Sequence, residues 1–167
     1  YPASGTYAPF FLQLKGDSLI YSNSAKNEIY FLNLKTDSLT HQIYHSKYTS
    51  TEAQGKYPKR TESKEEYREI GKERSKEVSY RSLFFDDQNN VFWRFSKEMD
   101  TMKGDLIVFK TVLTAFDPEF NQLHEQLLPP DFTLPSKYFA REGMIYTFLN
   151  IEDELAFVRL KPTISYE

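Results

Sequence analysis

One pattern recurs three times along the chain: an apolar run, a short polar turn and a second apolar run. The opening runs are "SLIYS" at 18–22, "SLFFD" at 82–86 and "KYFA" at 137–140. In each second run a large side chain stands two positions before a phenylalanine, as in Ile29 with Phe31, Trp93 with Phe95, and Tyr146 with Phe148. Because side chains alternate between the faces of a strand, each pair is predicted to share one face. Each unit therefore predicts strand, polar turn and strand.

A further apolar run follows each unit and adds a third strand to each predicted sheet. The three aligned phenylalanines are separated by 64 and 53 residues. Repeats of about 40–50 residues, each a small antiparallel sheet, are typical of β-propeller blades. We therefore predict an all-β fold with about three antiparallel, blade-like sheets, in units of about 10–55, 78–130 and 131–164. Residues 1–167 then form a single β domain or part of a larger propeller.

The extra length lies mostly in a charged segment at 56–79. Ser63 followed by Glu66 fits the S-x-x-E capping box that starts a helix. The acidic and basic residues that follow make both favourable and unfavourable helical pairs, each worth a few tenths of a kcal/mol. The segment is predicted to be a solvated insertion, helical or disordered, and a partner-binding arm is the alternative.

Aromatic residues are frequent, with 14 Phe, 12 Tyr and 1 Trp in 167 residues. Such rings favour pleated, half-buried surfaces and so support a β fold. The net charge of −3 argues against a nucleic-acid partner, because phosphate binding needs a surplus of Lys and Arg. With no cysteine, the chain has neither a disulfide framework nor a thiolate zinc site.

The polar residues form no catalytic or metal-binding motif. His41 and His45 are four positions apart on a predicted strand, which places them about 13 Å apart, too far to chelate one ion. His124 and Glu125 begin like the zinc-protease motif H-E-x-x-H, but Leu128 stands where the second histidine belongs. The sequence therefore predicts no catalytic residue, no metal site and no cofactor.

Arg94 is the most informative polar residue, because it lies on the strand face opposite Trp93 and Phe95. A buried or channel-lining arginine needs a partner, which is either a carboxylate of the protein or a ligand. Other arginines and tyrosines near strand ends extend this candidate site into a mouth that suits an anion or a sugar. The predicted ligand-binding residues are Arg81, Arg94, Tyr138, Arg141 and Tyr146.

Two longer stretches resemble a known family. They are "VSYRSLFFDDQNNVFWRFS" at 78–96 and "YFAREGMIYTFLNIEDELAFVRL" at 138–160. Both resemble an uncharacterised family of Bacteroidetes lipoproteins with a domain of unknown function, and the similarity is strongest over 78–161. The resemblance implies a six-bladed, β-propeller-like fold, of which this chain would be the C-terminal part.

The same resemblance implies a periplasmic or cell-envelope location, with a signal peptide and a lipid-modified cysteine upstream of this segment. The chain begins "YPASGTYAPF", without Met and without such a signal. We therefore expect a processed product or a piece of a longer protein. Membrane contact is expected only through the lipid anchor.

The favoured function is a non-enzymatic binding or interaction module at the bacterial cell envelope, with a glycan, a peptide or an envelope protein as its partner. Two alternatives stay open. One is a closed β-barrel that binds a small apolar ligand, and the other is a hydrolase whose catalytic residues lie outside this segment. Because three blades do not close a ring, self-association through open sheet edges is a further expectation.

Overall fold

The computed structural model describes residues 8–58, 60–130, 132–151 and 154–164, apart from the side chains of 149–151 and 155. Within these ranges the chain forms three antiparallel sheets and one α-helix. The prediction of an all-β fold with about three sheets and a charged helical insertion is confirmed. The closed barrel is wrong, because the described strands are divided among three separate sheets.

The first sheet has four strands in sequence order: β1 (Phe10–Lys15), β2 (Ser18–Asn23), β3 (Glu28–Asn33) and β4 (Ser38–Ile43). Asparagine side chains shape two of its turns. Asn23 Oδ1 accepts backbone hydrogen bonds at 2.9 and 3.0 Å between β2 and β3. Asn33 Oδ1 does the same at 2.9 and 3.1 Å between β3 and β4. The polar clusters therefore make the turns that their composition predicts.

The second sheet is built around two long strands. It comprises β5 (Ser79–Tyr80), β6 (Phe84–Asp86), β7 (Val91–Lys103), β8 (Leu106–Phe116) and β9 (Gln122–Leu127). Its order is β5-β7-β8-β9, and β6 also pairs with β7. In the turn between β6 and β7, the buried Asp86 carboxylate accepts hydrogen bonds from the backbone N–H groups of Gln88 and Asn89 at 3.2 and 3.4 Å.

The third sheet has three strands in sequence order: β10 (Tyr138–Arg141), β11 (Met144–Ile151) and β12 (Glu154–Leu160). Glu142 and Gly143 join β10 to β11, and their φ angles are 52° and 71°. Two residues with positive φ are the signature of a type I′ hairpin. This turn fixes the register, with Arg141 opposite Met144.

The described chain divides into two compact units. The first unit consists of Tyr1–Ser82 and Lys97–Lys110, and the second of Leu83–Ser96 and Thr111–Glu167. The strands β7 and β8 therefore contribute residues to both units. The core of the second unit contains Val91, Trp93, Phe95, Leu113, Ala115, Leu128 and Ile145.

The recurring aromatic motifs do not place equivalent residues on equivalent faces. In β7, Trp93 and Phe95 face the core of the second unit, as their spacing suggests. In β11, Ile145 belongs to that core, so Tyr146 and Phe148 lie on the other face of the strand. The phenylalanine of "FLN" in β11 therefore lies on the face away from the core, because the two-residue turn before β11 sets the register of this strand.

The charged insertion contains α1 (Lys64–Ser75). Ser63 caps it, since the Ser63 hydroxyl accepts a hydrogen bond from the backbone N–H of Glu66 at 3.0 Å. The Glu66 carboxylate in turn accepts from the backbone N–H of Glu62 at 2.7 Å, one residue earlier than in a complete capping box. No residue of α1 is buried. Among the described helices, none has the length and apolar character that a bilayer span requires.

Candidate functional site

Arg94, the centre of the predicted ligand site, lies inside the second unit. Its side chain is 1% exposed, and its guanidinium carbon is 5.0 Å from the centroid of the Phe116 ring, which is a cation–π contact. Its neighbours Trp93 and Phe95 are also buried, so β7 is covered on both faces at this point. A ligand in solvent does not reach Arg94 in this conformation.

The two predicted tyrosines lie on opposite faces of the third sheet. Tyr138 packs against the rings of Phe84 and Phe95, with centroid distances of 4.8 and 4.9 Å. Tyr146 instead stacks on Phe139 at 5.3 Å, and Phe139 is mostly exposed. Because Tyr138 and Phe139 are adjacent in one strand, they point to opposite sides. The structure therefore does not bring Tyr138 and Tyr146 into one mouth.

Arg141 shares the outer face of the third sheet with Tyr146. It is exposed and forms an ion pair with its neighbour Glu142 at 3.2 Å.

Arg81 belongs to the first unit, and its Nε is buried without a hydrogen bond among the described residues. Burial, and then repulsion from Arg81, lowers the pKa of the Lys97 amine. Of the five predicted residues, only Arg141 and Tyr146 are thus placed on a common exposed face.

A cavity of 460 Å³ lies in the first unit beside α1, and we refer to it as the helix pocket. Its walls come from the loop before the helix, from the last turns of the helix, and from the segments at 24–25 and 78–79. The lining residues are Ala8, Ser24, Ala25, Ala53, Gly55, Lys56, Tyr57, Pro58, Ile70, Arg74, Glu77, Val78 and Ser79. The volume falls within the range of about 300–1,000 Å³ that is typical of small-molecule sites.

Tyr57 is held against one wall of the helix pocket by Glu77. The Tyr57 hydroxyl donates a hydrogen bond to the Glu77 carboxylate, which also accepts one from the Gly55 backbone N–H. Burial, and then the negative charge of Glu77, raises the pKa of Tyr57 above its ordinary value of 10.0. A Cβ atom at Gly55 would clash with the Tyr57 ring, so this close approach requires glycine.

The outer face of the first sheet is a second candidate surface. The register of β1–β4 aligns Leu12, Tyr21, Tyr30 and His41 in one row and Leu14, Leu19, Leu32 and Leu39 in the next. Together with Phe10, the aromatic residues and leucines of these rows form what we term the aromatic–leucine face. Its members are Phe10, Leu12, Leu14, Leu19, Tyr21, Tyr30, Leu32 and Leu39.

A row of neighbouring aromatic rings runs across the aromatic–leucine face. The ring centroids of Phe10 and Tyr21 are 6.2 Å apart, and those of Tyr21 and Tyr30 are 5.6 Å apart. The Tyr30 ring stacks on His41 at 4.1 Å with an interplanar angle of 4°. His41 Nε2 is 3.1 Å from the buried Glu28 carboxylate, which gives the face a polar end. A depression of 300 Å³ lies between the tyrosines and the neighbouring leucines.

The polar side chains of the described residues contain no group of three or more His, Asp or Glu positioned to hold a metal ion. The two histidines of "HQIYH" have separate contacts. His41 pairs with Glu28, and His45 Nδ1 lies 3.4 Å from the Thr51 hydroxyl.

Comparison with protein families identifies the class of the chain. A family model described as "Domain of unknown function (DUF4221)" matches residues 4–127, which is well over half of the sequence. The chain belongs to the DUF4221 family. The expected relationship to a family of unknown function is thereby confirmed. The match begins earlier than the 78–161 region on which the resemblance was strongest, and it includes the whole first sheet.

A solved DUF4221 structure supports the fold. The crystal structure of a family member from Bacteroides vulgatus matches 95% of this chain with a TM-score of 0.65 and 12% sequence identity. The match covers 47% of that protein, so the chain spans about half of its length. At this identity the likeness shows the fold alone. No curated protein matches the chain.

Sequence reasoning missed both surfaces of this DUF4221 chain. Tyr57 and Glu77 are 20 positions apart in a segment predicted to be a solvated insertion, with a partner-binding arm as the alternative, and no local pattern pairs the two residues. The aromatic–leucine face carried a readable signal, because Phe10, Leu12 and Leu14 recur at period two along β1. What the alternation does not reveal is which of two apolar faces stays exposed.

Proposed function

We propose that this DUF4221 chain is a non-enzymatic interaction module of the bacterial cell envelope, and that its partner is a protein bound on the aromatic–leucine face. The observation that carries the proposal is the exposure of this face. Phe10, Leu12, Leu14 and Leu39 are each more than half exposed, and they share one face of the first sheet. Contiguous exposed apolar patches mark interaction surfaces, since monomeric proteins rarely leave them open.

The chemistry of the face favours a protein over a sugar. Sugars bind to flat aromatic platforms with many hydrogen-bonding groups, whereas this face pairs its rings with aliphatic leucines. The depression of 300 Å³ is lined by Leu19, Tyr21, Tyr30, Leu32 and Leu39 and is suited to an apolar side chain of a partner. The Glu28–His41 pair at one end offers a polar rim.

The length of the family structure supports a polypeptide as the partner. The Bacteroides vulgatus protein is about twice as long as the part that matches this chain. The rest of that protein is a polypeptide of similar length, and a segment of this kind is able to cover an apolar sheet face. In this proposal the face packs against an apolar sheet or strand, and sheet edges left open lead to self-association.

The binding surface is tested with charged substitutions and a matched control. Leu12→Lys and Leu39→Lys each place a cation on the aromatic–leucine face, whereas Thr40→Lys places the same cation on the opposite side of β4 at another exposed position. Peptides selected from a displayed library against the wild-type chain should carry alternating apolar residues. Their Kd should rise about ten-fold or more in the two leucine variants and stay unchanged in T40K.

Two results of this experiment would overturn the proposal. Equal losses in the leucine variants and in T40K would show that the face is not the contact surface. Cleavage of the selected peptides by the wild-type chain would favour the hydrolase alternative instead.

The envelope location rests on the family resemblance of the sequence. It is tested by fractionation of cells that produce the tagged full-length protein. We expect the protein in the membrane fraction, released by detergent but not by high salt, because lipid anchors insert acyl chains into the bilayer. Recovery in the cytosolic fraction would contradict the location without affecting the binding surface.

A further inference from the structure

We propose that the helix pocket is a binding site for a neutral sugar of about one or two rings. The pocket combines one tyrosine ring, one carboxylate, two cationic side chains, two serine hydroxyl groups and a wall of small apolar residues. It lies within the first unit and shares no residue with the aromatic–leucine face. Either proposal can therefore fail without affecting the other.

The polar groups of the helix pocket suit a ligand that both donates and accepts hydrogen bonds. Glu77 already accepts hydrogen bonds from Tyr57 and Gly55. An ionised carboxylate has about four acceptor positions, so acceptor capacity remains for ligand hydroxyls. Arg74 and Lys56 supply N–H donors, and Arg74 presents its donors in a planar fork. Sugar hydroxyls are donors and acceptors at once, so they match this mixture.

The helix pocket contains charges of both signs, so an ionic ligand of either sign has a like-charged neighbour. An anion would meet the Glu77 carboxylate and the C-terminal end of α1, where the helix dipole is negative. An amine would meet Lys56 and Arg74. A neutral polar molecule avoids both repulsions and still uses the charged groups as strong hydrogen-bonding partners.

Tyr57 and the small apolar residues of the helix pocket provide surfaces on which a sugar ring can pack. The ring is held in place by the Glu77 hydrogen bond and by its close packing on Gly55, so little side-chain entropy is lost when a ligand packs against it. Ala25, Ala53 and Val78 provide the small apolar surface against which the C–H groups of a sugar ring would pack.

The test is a titration of the wild-type chain with methyl glucoside, methyl galactoside, methyl mannoside and N-acetylglucosamine. Glucuronate and glucosamine serve as the anionic and cationic comparators. We expect at least one neutral sugar to bind with a Kd of about 1 mM or tighter. Its affinity should change little between low and high salt, because screening acts on charged ligands.

Two arginines on the same helix provide a matched pair of variants. Arg74→Gln removes a donor from the pocket, whereas Arg68→Gln removes the same charge from an exposed position outside it. R74Q should weaken sugar binding about ten-fold, as the loss of a charged hydrogen-bond partner does, and R68Q should bind like the wild type. A thermal melt of each variant confirms that both are folded.

Three outcomes would overturn the sugar assignment. The first is that no neutral sugar binds at concentrations up to about 10 mM, ten times the expected Kd. The second is that glucuronate alone binds and its affinity falls with salt, which would identify an anion site. The third is that R74Q and R68Q bind the sugar equally well, which would place the sugar elsewhere on the chain.

Discussion

On the inner face of the first sheet Ile20 and Ile29 are 2% and 0% exposed, whereas on the outer face Leu12 and Leu39 are 55% and 66% exposed. All four residues are aliphatic and lie in the same antiparallel sheet, so intrinsic strand preference does not separate them. One face of this sheet is buried and the other is exposed. An alternating apolar pattern therefore locates both faces of a sheet without showing what covers each.

The largest expected effect is on the inner face. Ile29→Ala removes a fully buried side chain and should lower the free energy of unfolding by about 2–5 kcal/mol, because it leaves a cavity as well as losing transfer energy. Urea denaturation measures the change. A loss below about 1 kcal/mol would mean that the inner face is as loosely covered as the outer one.

A smaller effect on stability is expected at the turn between β1 and β2, which sets the register of these two strands. Gly16 joins β1 to β2 with a φ of +56°, so Gly16→Ala should cost about 1–2 kcal/mol through backbone strain alone. Gly71 in α1 is the control, since a Cβ meets no atom within 4 Å at either position. Gly71→Ala should stabilise the chain by up to about 1 kcal/mol. Equal signs in the two denaturation curves would contradict this account.

On the outer face the expected effect on stability is smaller still. Leu39→Ala should change the free energy of unfolding by less than about 0.5 kcal/mol, since the side chain is already mostly in solvent. The same variant should bind less of a dye that reports exposed apolar surface. If L39A destabilised the isolated chain as much as I29A, the contrast between the faces would be lost.

The smallest expected effect is on the pH dependence of stability, through two titratable groups of the first unit. Because the pKa of Tyr57 is raised, its contribution to stability is present below the ordinary value of 10.0 and is lost as pH rises above that value. The lowered pKa of Lys97 acts in the opposite sense, so stability is regained as pH rises towards 10.5. Tyr57→Phe should make the alkaline decline in stability shallower, and Lys97→Met should make it steeper. Denaturation midpoints between about pH 8 and about pH 11 measure both slopes, and unchanged slopes would contradict the partial burial of the two groups.

Features fixed by near neighbours were readable from the sequence. Asn23 and Asp86 accept hydrogen bonds from the backbone of their own turns, and Ser63 caps its own helix, so each structure follows from a few adjacent residues. The three sheets followed from the alternation of apolar residues. These elements could be predicted because their causes lie within a few positions of each other.

Features that depend on register or on distant partners were not readable. Tyr146 and Phe148 matched the spacing of Trp93 and Phe95, yet the hairpin turn before β11 puts them on the opposite face from the core. Arg94 was recognised as needing a partner, but its contact with a ring on β8 depends on tertiary packing. None of the five residues predicted from the sequence to bind a ligand belongs to the helix pocket or to the aromatic–leucine face.

The division of β7 and β8 between the two compact units has a consequence for how the chain is assembled and dissected. The path of the chain leaves the first unit at Ser82, returns at Lys97 and leaves again at Lys110. A single break in the polypeptide therefore cannot release either unit whole. Truncation at the boundary yields a first unit without 97–110 and a second unit interrupted by them. A gene fragment of this chain that ends between residues 83 and 110 would therefore encode an incomplete first unit together with a piece of the second.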